Sequence, residues 1–334
     1  MVNTKKLTAL VTGGAGFIGS HLIEELLDRG MRILIIDNLS TGKKENIAHL
    51  LKGNYDIKFY KATITNKVLL KKLIKESDII YHLAAAVGVK YILDHPVDSI
   101  ITNVEGTSLI LHLAAIYKKK VVLASTSEVY GKHVCSPIKE EDDRTLGSTS
   151  ISRWSYSDSK AIDEFLALAY AKEKNLPIVI VRLFNTVGPR QVGHYGMVLP
   201  RFIERALLNK PIPVYGDGSQ IRTFTYVKDA VRAIADLSLS PKAVGQAFNI
   251  GSNQPITIME LAKKVKEKTN SKSQIKIIPY KKAYGKDFED IECRIPDISK
   301  IKKTIKYSPQ YDIDSIIENT IDYFKGKILQ KKRR

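Results

Sequence analysis

The chain has few of the residues that staple small folds together. Its 334 residues include two cysteines, Cys135 and Cys293, and a single tryptophan. Two thiols are too few for a disulfide framework or a four-ligand zinc site. No metal is therefore expected, and a reducing, cytoplasmic setting is the default. No uninterrupted apolar run approaches the ~20 residues needed to cross a bilayer. The opening "MVNTKKLTALVTGG" shows neither an apolar h-region nor a small-residue cleavage site before the first β-run. No membrane partner is expected. Internal repeats, low-complexity tracts and flexible linkers are also missing. What remains is 44% hydrophobic and 26% charged, the balance of a soluble globular protein long enough for one large domain or two ordinary ones.

Acidic residues are in deficit. Asp and Glu number 35 against 53 Lys and Arg, a formal net charge of +18. The lysines are scattered, as in "YKKK", "KKVKEK" and "YKKAYGK", with one terminal cluster, "GKILQKKRR". No nucleic-acid motif or aromatic-interleaved basic strip accompanies them, so no nucleic-acid partner is expected. A positive surface does favour a small anionic substrate.

The first half alternates short β-branched runs with segments of helical period. The runs are Thr8–Thr12, Arg32–Asp37, Ile57–Lys61, Asp78–Leu83, Val121–Ser125 and Ile178–Leu183. Between them lie amphipathic stretches such as Phe17–Arg29, Asn66–Lys75, Pro96–Lys119 and Tyr156–Glu173. Near-continuous apolar strands alternating with helices predict an α/β fold, a Rossmann-type doubly wound parallel sheet covered on both faces. After Leu183 the rhythm breaks at "FNTVGPRQVGHYGMVLP", and helix-like and strand-like pieces mix. Residues 1–183 are expected to form the dinucleotide-binding domain, with a segment near 225–252 crossing back to it. Residues 184–330 are expected to form mainly a smaller mixed α/β substrate lobe.

In "LTALVTGGAGFIGSHLIEELLDRGMRILIIDNLS", Gly13, Gly16 and Gly19 stand at G-x-x-G-x-x-G spacing between a strand and a helix. Glycine in regular structure costs roughly 0.5–1 kcal/mol relative to alanine, so the backbone must serve something. Gly13 permits a tight turn, Gly16 a close approach by a pyrophosphate, and Gly19 close packing of helix on sheet. The helix N-terminus offers its free N–H groups to the diphosphate. Asp37, ending the second strand, accepts from ribose hydroxyls and repels a 2′-phosphate, which selects NAD over NADP.

"RWSYSDSKAIDEFLALAY" sets Tyr156 four residues before Lys160, on one helix face. A tyrosine is a poor base at neutral pH unless a neighbouring ammonium favours its phenolate. Tyr156 could then take a proton from a sugar hydroxyl while the same carbon is oxidised. Upstream, "VVLASTSEVYG" brings Ser125, Thr126, Ser127 and Glu128 to the mouth of the sheet. A hydroxyl there can bind the substrate oxygen, although a Ser/Thr turn closing a strand would read the same.

Together these residues closely resemble the extended short-chain dehydrogenase/reductase family, and within it the NAD-dependent nucleotide-sugar epimerases, dehydratases and decarboxylases. The resemblance covers nearly the whole chain: "TGGAGFIGSHL", "DNLSTG", "YHLAAAVGV", "TNVEGT", "STSEVYG", "YSDSK", "RLFNTVGPRQ", "GDGSQIRTFTYVKD", "FNIGS" and "RIPDISK". It implies that Thr126, Tyr156 and Lys160 form the catalytic triad, with Ser127 and Glu128 beside them. NAD would be held by Gly13, Gly16, Gly19, Asp37, Asn38 and Asn103, with Phe17, Ile18, Ser40, Thr41, Gly42, Leu83, Ala84 and Ala85 along its path. Asn185, Arg222 and Arg294 would grip the diphosphate and ribose of a UDP-sugar, with Tyr215 also at the substrate. Glu128, Arg190 and His194 are candidates for contact with a group at sugar C6. The relatives dimerise through the tyrosine-bearing helix and its neighbour. The apolar positions of "IDEFLALAYA" and "SLILHLAAIY" exceed what one sheet face needs, so a homodimer is expected.

Two chemistries share the opening oxidation at sugar C4. The expectation is a UDP-sugar 4-epimerase acting on UDP-glucose or UDP-glucuronate, favoured by "HLAAAVGV" and the glycine-rich loop. The alternative is a UDP-glucuronate decarboxylase, which Ser127–Glu128 and the Arg–Trp before the tyrosine resemble. A 4,6-dehydratase ranks third, because its usual Asp–Glu pair is replaced by Ser127–Glu128. A non-enzymatic NAD-binding scaffold would leave Tyr156 and Lys160 idle.

Overall fold

The computed structural model describes residues 6–133, 136–193, 197–284 and 289–332. Its strands are β1 (Thr8–Thr12), β2 (Arg32–Asp37), β3 (Ile57–Lys61), β4 (Ile79–His82) and β5 (Lys120–Thr126). They continue with β6 (Pro137–Ile138), β7 (Ile178–Leu183), β8 (Thr186–Val187), β9 (Ile212–Tyr215) and β10 (Ile221–Thr223). The last are β11 (Thr225–Tyr226), β12 (Gln246–Ile250), β13 (Pro255–Thr257), β14 (Ile275–Ile278) and β15 (Cys293–Pro296). Helices in the first half are α1 (Phe17–Asp28), α2 (Ala48–Lys52), α3 (Lys67–Glu76), α4 (Val89–Asp94), α5 (Pro96–Ile116) and α6 (Trp154–Lys174). Those of the second half are α7 (Val198–Leu207), α8 (Val227–Leu239), α9 (Ile258–Lys268), α10 (Tyr280–Tyr284), α11 (Ser299–Ile305) and α12 (Ile313–Lys332).

Seven strands form one sheet in the order β12-β7-β5-β4-β1-β2-β3, parallel throughout. Alternate residues of each strand feed two cores. Ala9, Val11, Ile33, Ile35, Val122 and Val179 face one, while Leu10, Leu34, Ile36, Val121, Leu123 and Ile178 face the other. Both faces are dry, which is why these strands read as continuous apolar runs. The chain winds outward from β1 in both directions, so the strand order reverses between β1 and β4. Such a reversal opens a crevice at the carboxyl ends of the strands.

After β7 the chain departs to build the irregular half, and it returns as β12 to pair with β7. Here β10 is central to a second sheet, β13-β10-β15-β6. Its pairing with β15 is parallel and sets Arg222 opposite Arg294. Cys293, buried just before Arg294, is disulfide-bonded, which a count of two cysteines did not anticipate.

The helix pair α5 and α6 packs closely together. Its outer face leaves Ile100, Ile101, Ile162, Leu168 and Phe165 exposed, the last at 65%. Among the described residues α5 is also the one helix long and apolar enough to cross a membrane, by length and composition only. Counting uninterrupted apolar residues missed it, because Asp98, Asn103 and Glu105 break the run. Its other face is sunk in the core through Ile110, Leu111 and Ala114.

Candidate active site

One continuous cavity of about 830 Å³ runs from the glycine turn, past the ends of β4 and β5, to the arginines of β10 and β15. At one end Gly13 has φ +71°, and a Cβ on it would lie 2.9 Å from the Ala84 nitrogen. A Cβ on Gly19 would lie 2.3 Å from the Gly13 carbonyl oxygen, so only glycine lets α1 seat against the turn. No side chain caps α1, and its first turn carries no acidic residue. Its N–H groups therefore face the cavity with their partial positive charge uncompensated. Phe17, Ile18, Asn38, Ser40, Thr41, Gly42, Leu83, Ala84 and Ala85 all line this end.

Two expected cofactor contacts are placed differently. Asp37 lines the cavity, but its Oδ2 accepts from Ala15 N–H at 2.9 Å and its Oδ1 from Leu39 N–H at 2.8 Å. Burial raises its pKa while these two amides lower it. Its carboxylate orders the turn and retains lone pairs for a ribose. Asn103 sits behind the wall, 1% exposed. Its Oδ1 accepts from Ala86 N–H at 2.8 Å and its Nδ2 reaches the Ser159 hydroxyl at 3.3 Å. It ties the loop after β4 to α6 because its amide is spent on that backbone.

At the centre, β5 ends in Thr126 and a 3₁₀ turn, Ser127–Tyr130. Thr126 Oγ1 accepts from Glu128 N–H at 3.2 Å and lies beside the Tyr156 hydroxyl. Lys160, 3% exposed, donates to Asp163 Oδ2 at 2.7 Å. The ammonium expected to favour a Tyr156 phenolate is thus paired with a carboxylate on its own helix. Burial pushes the phenol above its ordinary value, Glu128 and Asp163 add to that, and Thr126 and Arg294 oppose it.

Glu128 is the electrostatic focus. Arg294 Nη2 lies 2.9 Å from its Oε1 and Arg153 Nη2 3.4 Å from its Oε2. Arg294 Nη1 also donates to Ser127 Oγ at 3.1 Å. Arg222 Nη2 and Arg153 Nη1 each reach Asp290 Oδ1 at 3.3 Å, and the Tyr280 hydroxyl donates to Asp290 Oδ2. Three guanidiniums thus face two carboxylates. Burial works to raise the Glu128 carboxyl, but Arg294, then Arg153 and Arg222, bring it down to about 2. The surplus cation shows at Arg222, whose pKa burial and then Arg294 lower to about 10. Arg294 therefore sits at the end of β5, beside the catalytic turn.

Asn185 and Tyr215 line the cavity. Asn185 donates to Thr223 O at 2.9 Å, and the Arg201 guanidinium stacks 4.3 Å over the Tyr215 ring. Arg190 also lines it, but its Nη2 is paired with Glu24 Oε1 of α1 at 2.5 Å. That ion pair draws it toward the dinucleotide helix, away from the Glu128 cluster where a C6 group was expected to meet it. His194 lies outside the described residues. Sequence reasoning missed Asp163, Arg201, Tyr280 and Asp290. Of these only Asp163 carried a signal, an acidic residue one helical turn beyond Lys160.

A doubly wound parallel sheet with a glycine turn at β1–α1, and Tyr156 and Lys160 on a helix beside the same crevice, defines an extended short-chain dehydrogenase/reductase. The chain belongs to the family described as GDP-mannose 4,6 dehydratase, whose model matches residues 10–320. It is 43% identical over 321 residues to the UDP-N-acetyl-alpha-D-glucosaminuronate decarboxylase of Bacillus cytotoxicus, covering 96% of this chain and 98% of that one. It is 35% identical to UDP-glucuronic acid decarboxylase 1 of Arabidopsis thaliana, over 99% of this chain and 72% of the relative. Among solved structures it resembles UDP-glucuronic acid 4-epimerase of Bacillus cereus in complex with UDP-glucuronic acid and NAD. The TM-score is 0.86 at 30% identity, over 96% of this chain and all of the other. The cofactor of this family is NAD, and the glycine cradle and uncapped α1 fit its diphosphate.

Two outcomes follow. Gly19→Ala forces a methyl against the Gly13 carbonyl, and NAD affinity should fall tenfold or more, about 1.4 kcal/mol, by titration calorimetry. Because Glu128 has a folded pKa below its ordinary 4.5, its ionised form stabilises the fold fully above about pH 4.5, and that gain is lost as pH falls toward 2. Urea unfolding of Glu128→Gln should therefore lose less stability than wild type across that window, by on the order of 3 kcal/mol.

Proposed function

We propose that the protein is an NAD-dependent UDP-uronate decarboxylase, which removes the C6 carboxylate of a UDP-glucuronate-type sugar through a transient C4 ketone. The observation that carries this reading is Arg294 joining Ser127 and Glu128 beside Thr126 and Tyr156. A cluster with one cation in surplus suits a sugar bearing a carboxylate. A neutral hexose would leave that charge buried and uncompensated. Two of the relatives named above, both decarboxylases, point the same way, so the epimerase expectation gives way to its alternative.

NAD, when bound, supplies the reversible oxidation of the sugar carbinol. Tyr156 takes the C4 hydroxyl proton, with Thr126 holding that oxygen. The C4 ketone then accepts the electron pair of the C5–C6 bond as an enolate, and carbon dioxide leaves. Arg294 and Ser127 orient the departing carboxylate, and C5 regains a proton before the ketone is reduced. Arg222, Asn185 and Tyr215 hold the nucleotide end, where a planar guanidinium fork matches a diphosphate.

A 4-epimerase remains the second reading, supported by the likeness to the Bacillus cereus enzyme. Incubation with UDP-glucuronate and with UDP-N-acetylglucosaminuronate decides between them by mass spectrometry. The product should be lighter by one carbon dioxide; an isomer of unchanged mass would favour epimerisation. Tyr156→Phe should lower turnover by about 10²–10⁴-fold while NAD stays bound. The exposed apolar face of α5 and α6 supports a homodimer formed by those helices from two copies. Phe165→Asp should shift the sedimenting species from dimer to monomer, and an unchanged mass would place the interface elsewhere.

A further inference from the structure

Tyr156, Lys160 and Asp163 follow one another at helical spacing on α6, so their side chains form a single column. Lys160 and Asp163 are both buried, at 3% and 1% exposure. Their 2.7 Å contact makes a pair with almost no net charge. An unpaired ammonium beside Tyr156 would lower the pH at which the phenol ionises, whereas a neutralised one does so only weakly.

Among the described residues Asp163 has one hydrogen-bond partner of its own: its Oδ2 takes the Lys160 ammonium, while the buried Oδ1 has none. A buried polar chain runs alongside from the cavity wall. Ala84 N–H donates to Thr12 Oγ1 at 3.1 Å. Thr12 Oγ1 meets His82 Nδ1 at 2.8 Å, and His82 Nε2 meets Thr107 Oγ1 at 3.1 Å. Burial, with Lys160 adding to it, holds His82 down at about 3. This imidazole is therefore neutral and brings no second cation to the pair.

We propose that Asp163 is a positioning residue which, by neutralising Lys160, sets the pH at which Tyr156 becomes a base. The other groups facing this column are Glu128 from the 3₁₀ turn and Arg294 from β15. His82 of β4 faces Lys160. Glu164 of α6 neighbours Asp163 and is itself paired with Arg182 of β7. From α5 comes Thr107, a neutral hydroxyl. With the pair intact, Tyr156 keeps its proton until a further cation arrives, and the family's cofactor brings one on its oxidised nicotinamide ring. Loss of the sugar proton is thereby tied to a loaded site.

The inference rests on Tyr156 being the base, as proposed above, but its test needs no sugar nucleotide. In NAD-loaded protein carrying tyrosine labelled with ¹³C at Cζ, the Tyr156 signal is identified by its loss in Tyr156→Phe. Its titration midpoint should fall by about one pH unit in Asp163→Asn and stay near wild type in Asp163→Glu. Asp163→Ser, which keeps a hydroxyl for Lys160, gives the same reading should the amide variant fail to fold. In turnover, the acid limb of kcat/KM should move by the same amount. A midpoint unmoved in both neutral variants overturns the proposal. A shifted midpoint in a protein that leaves both uronates intact would sink the decarboxylase reading alone.

Discussion

Two like charges set side by side in a buried sheet organise much of this molecule. The parallel register of β10 and β15 places Arg222 against Arg294, an arrangement that costs stability unless anions answer it. Glu128 and Asp290 provide two such anions from opposite sides. The 3₁₀ turn that carries Glu128 is therefore fixed by charge as well as by the strand it ends. Arg153, at the start of α6, completes the set and couples the tyrosine-bearing helix to the substrate half. The Ser127–Tyr130 turn, that helix and the second sheet meet around one electrostatic knot.

The remaining part of the cavity is built by steric need. Gly13 and Gly19 leave no room for a Cβ, and the unencumbered start of α1 follows from their packing. The two ends use different physics. Backbone dipoles and close approach shape the glycine-turn end, and fixed guanidinium charge shapes the other. Both open on one crevice because the strand order reverses between β1 and β4.

What was legible in the sequence divides along the same line. Strands β1 to β5 and β7, with the helices between them, match their apolar runs, since the inner strands are buried on both faces and periodicity is the whole signal. The glycine turn and the Tyr156–Lys160 spacing were equally plain, because local geometry dictates both. The partners of Lys160 and Arg190 were not. Lys160 on its helix and Arg190 in its turn could each pair with several acids or with a ligand, and only packing selects Asp163 and Glu24. Likewise Arg294 was expected at the diphosphate, whereas the register of β15 against β10 carries it to Ser127 and Glu128. Asp37 and Asn103 look like ligand-binding groups by residue type, yet their polar atoms are largely committed to backbone amides.

The late return of β12 to the edge of β7 has a consequence for synthesis. A nascent chain released from the ribosome only as far as α8 would hold a six-stranded sheet with the outward-facing backbone groups of β7 unpaired. Until Gln246–Ile250 emerges, that bare margin is open to other extended segments. The segment between β7 and β12 is thus threaded between two strands of one sheet, so that sheet is completed only after β8–α8 of the irregular half has been made.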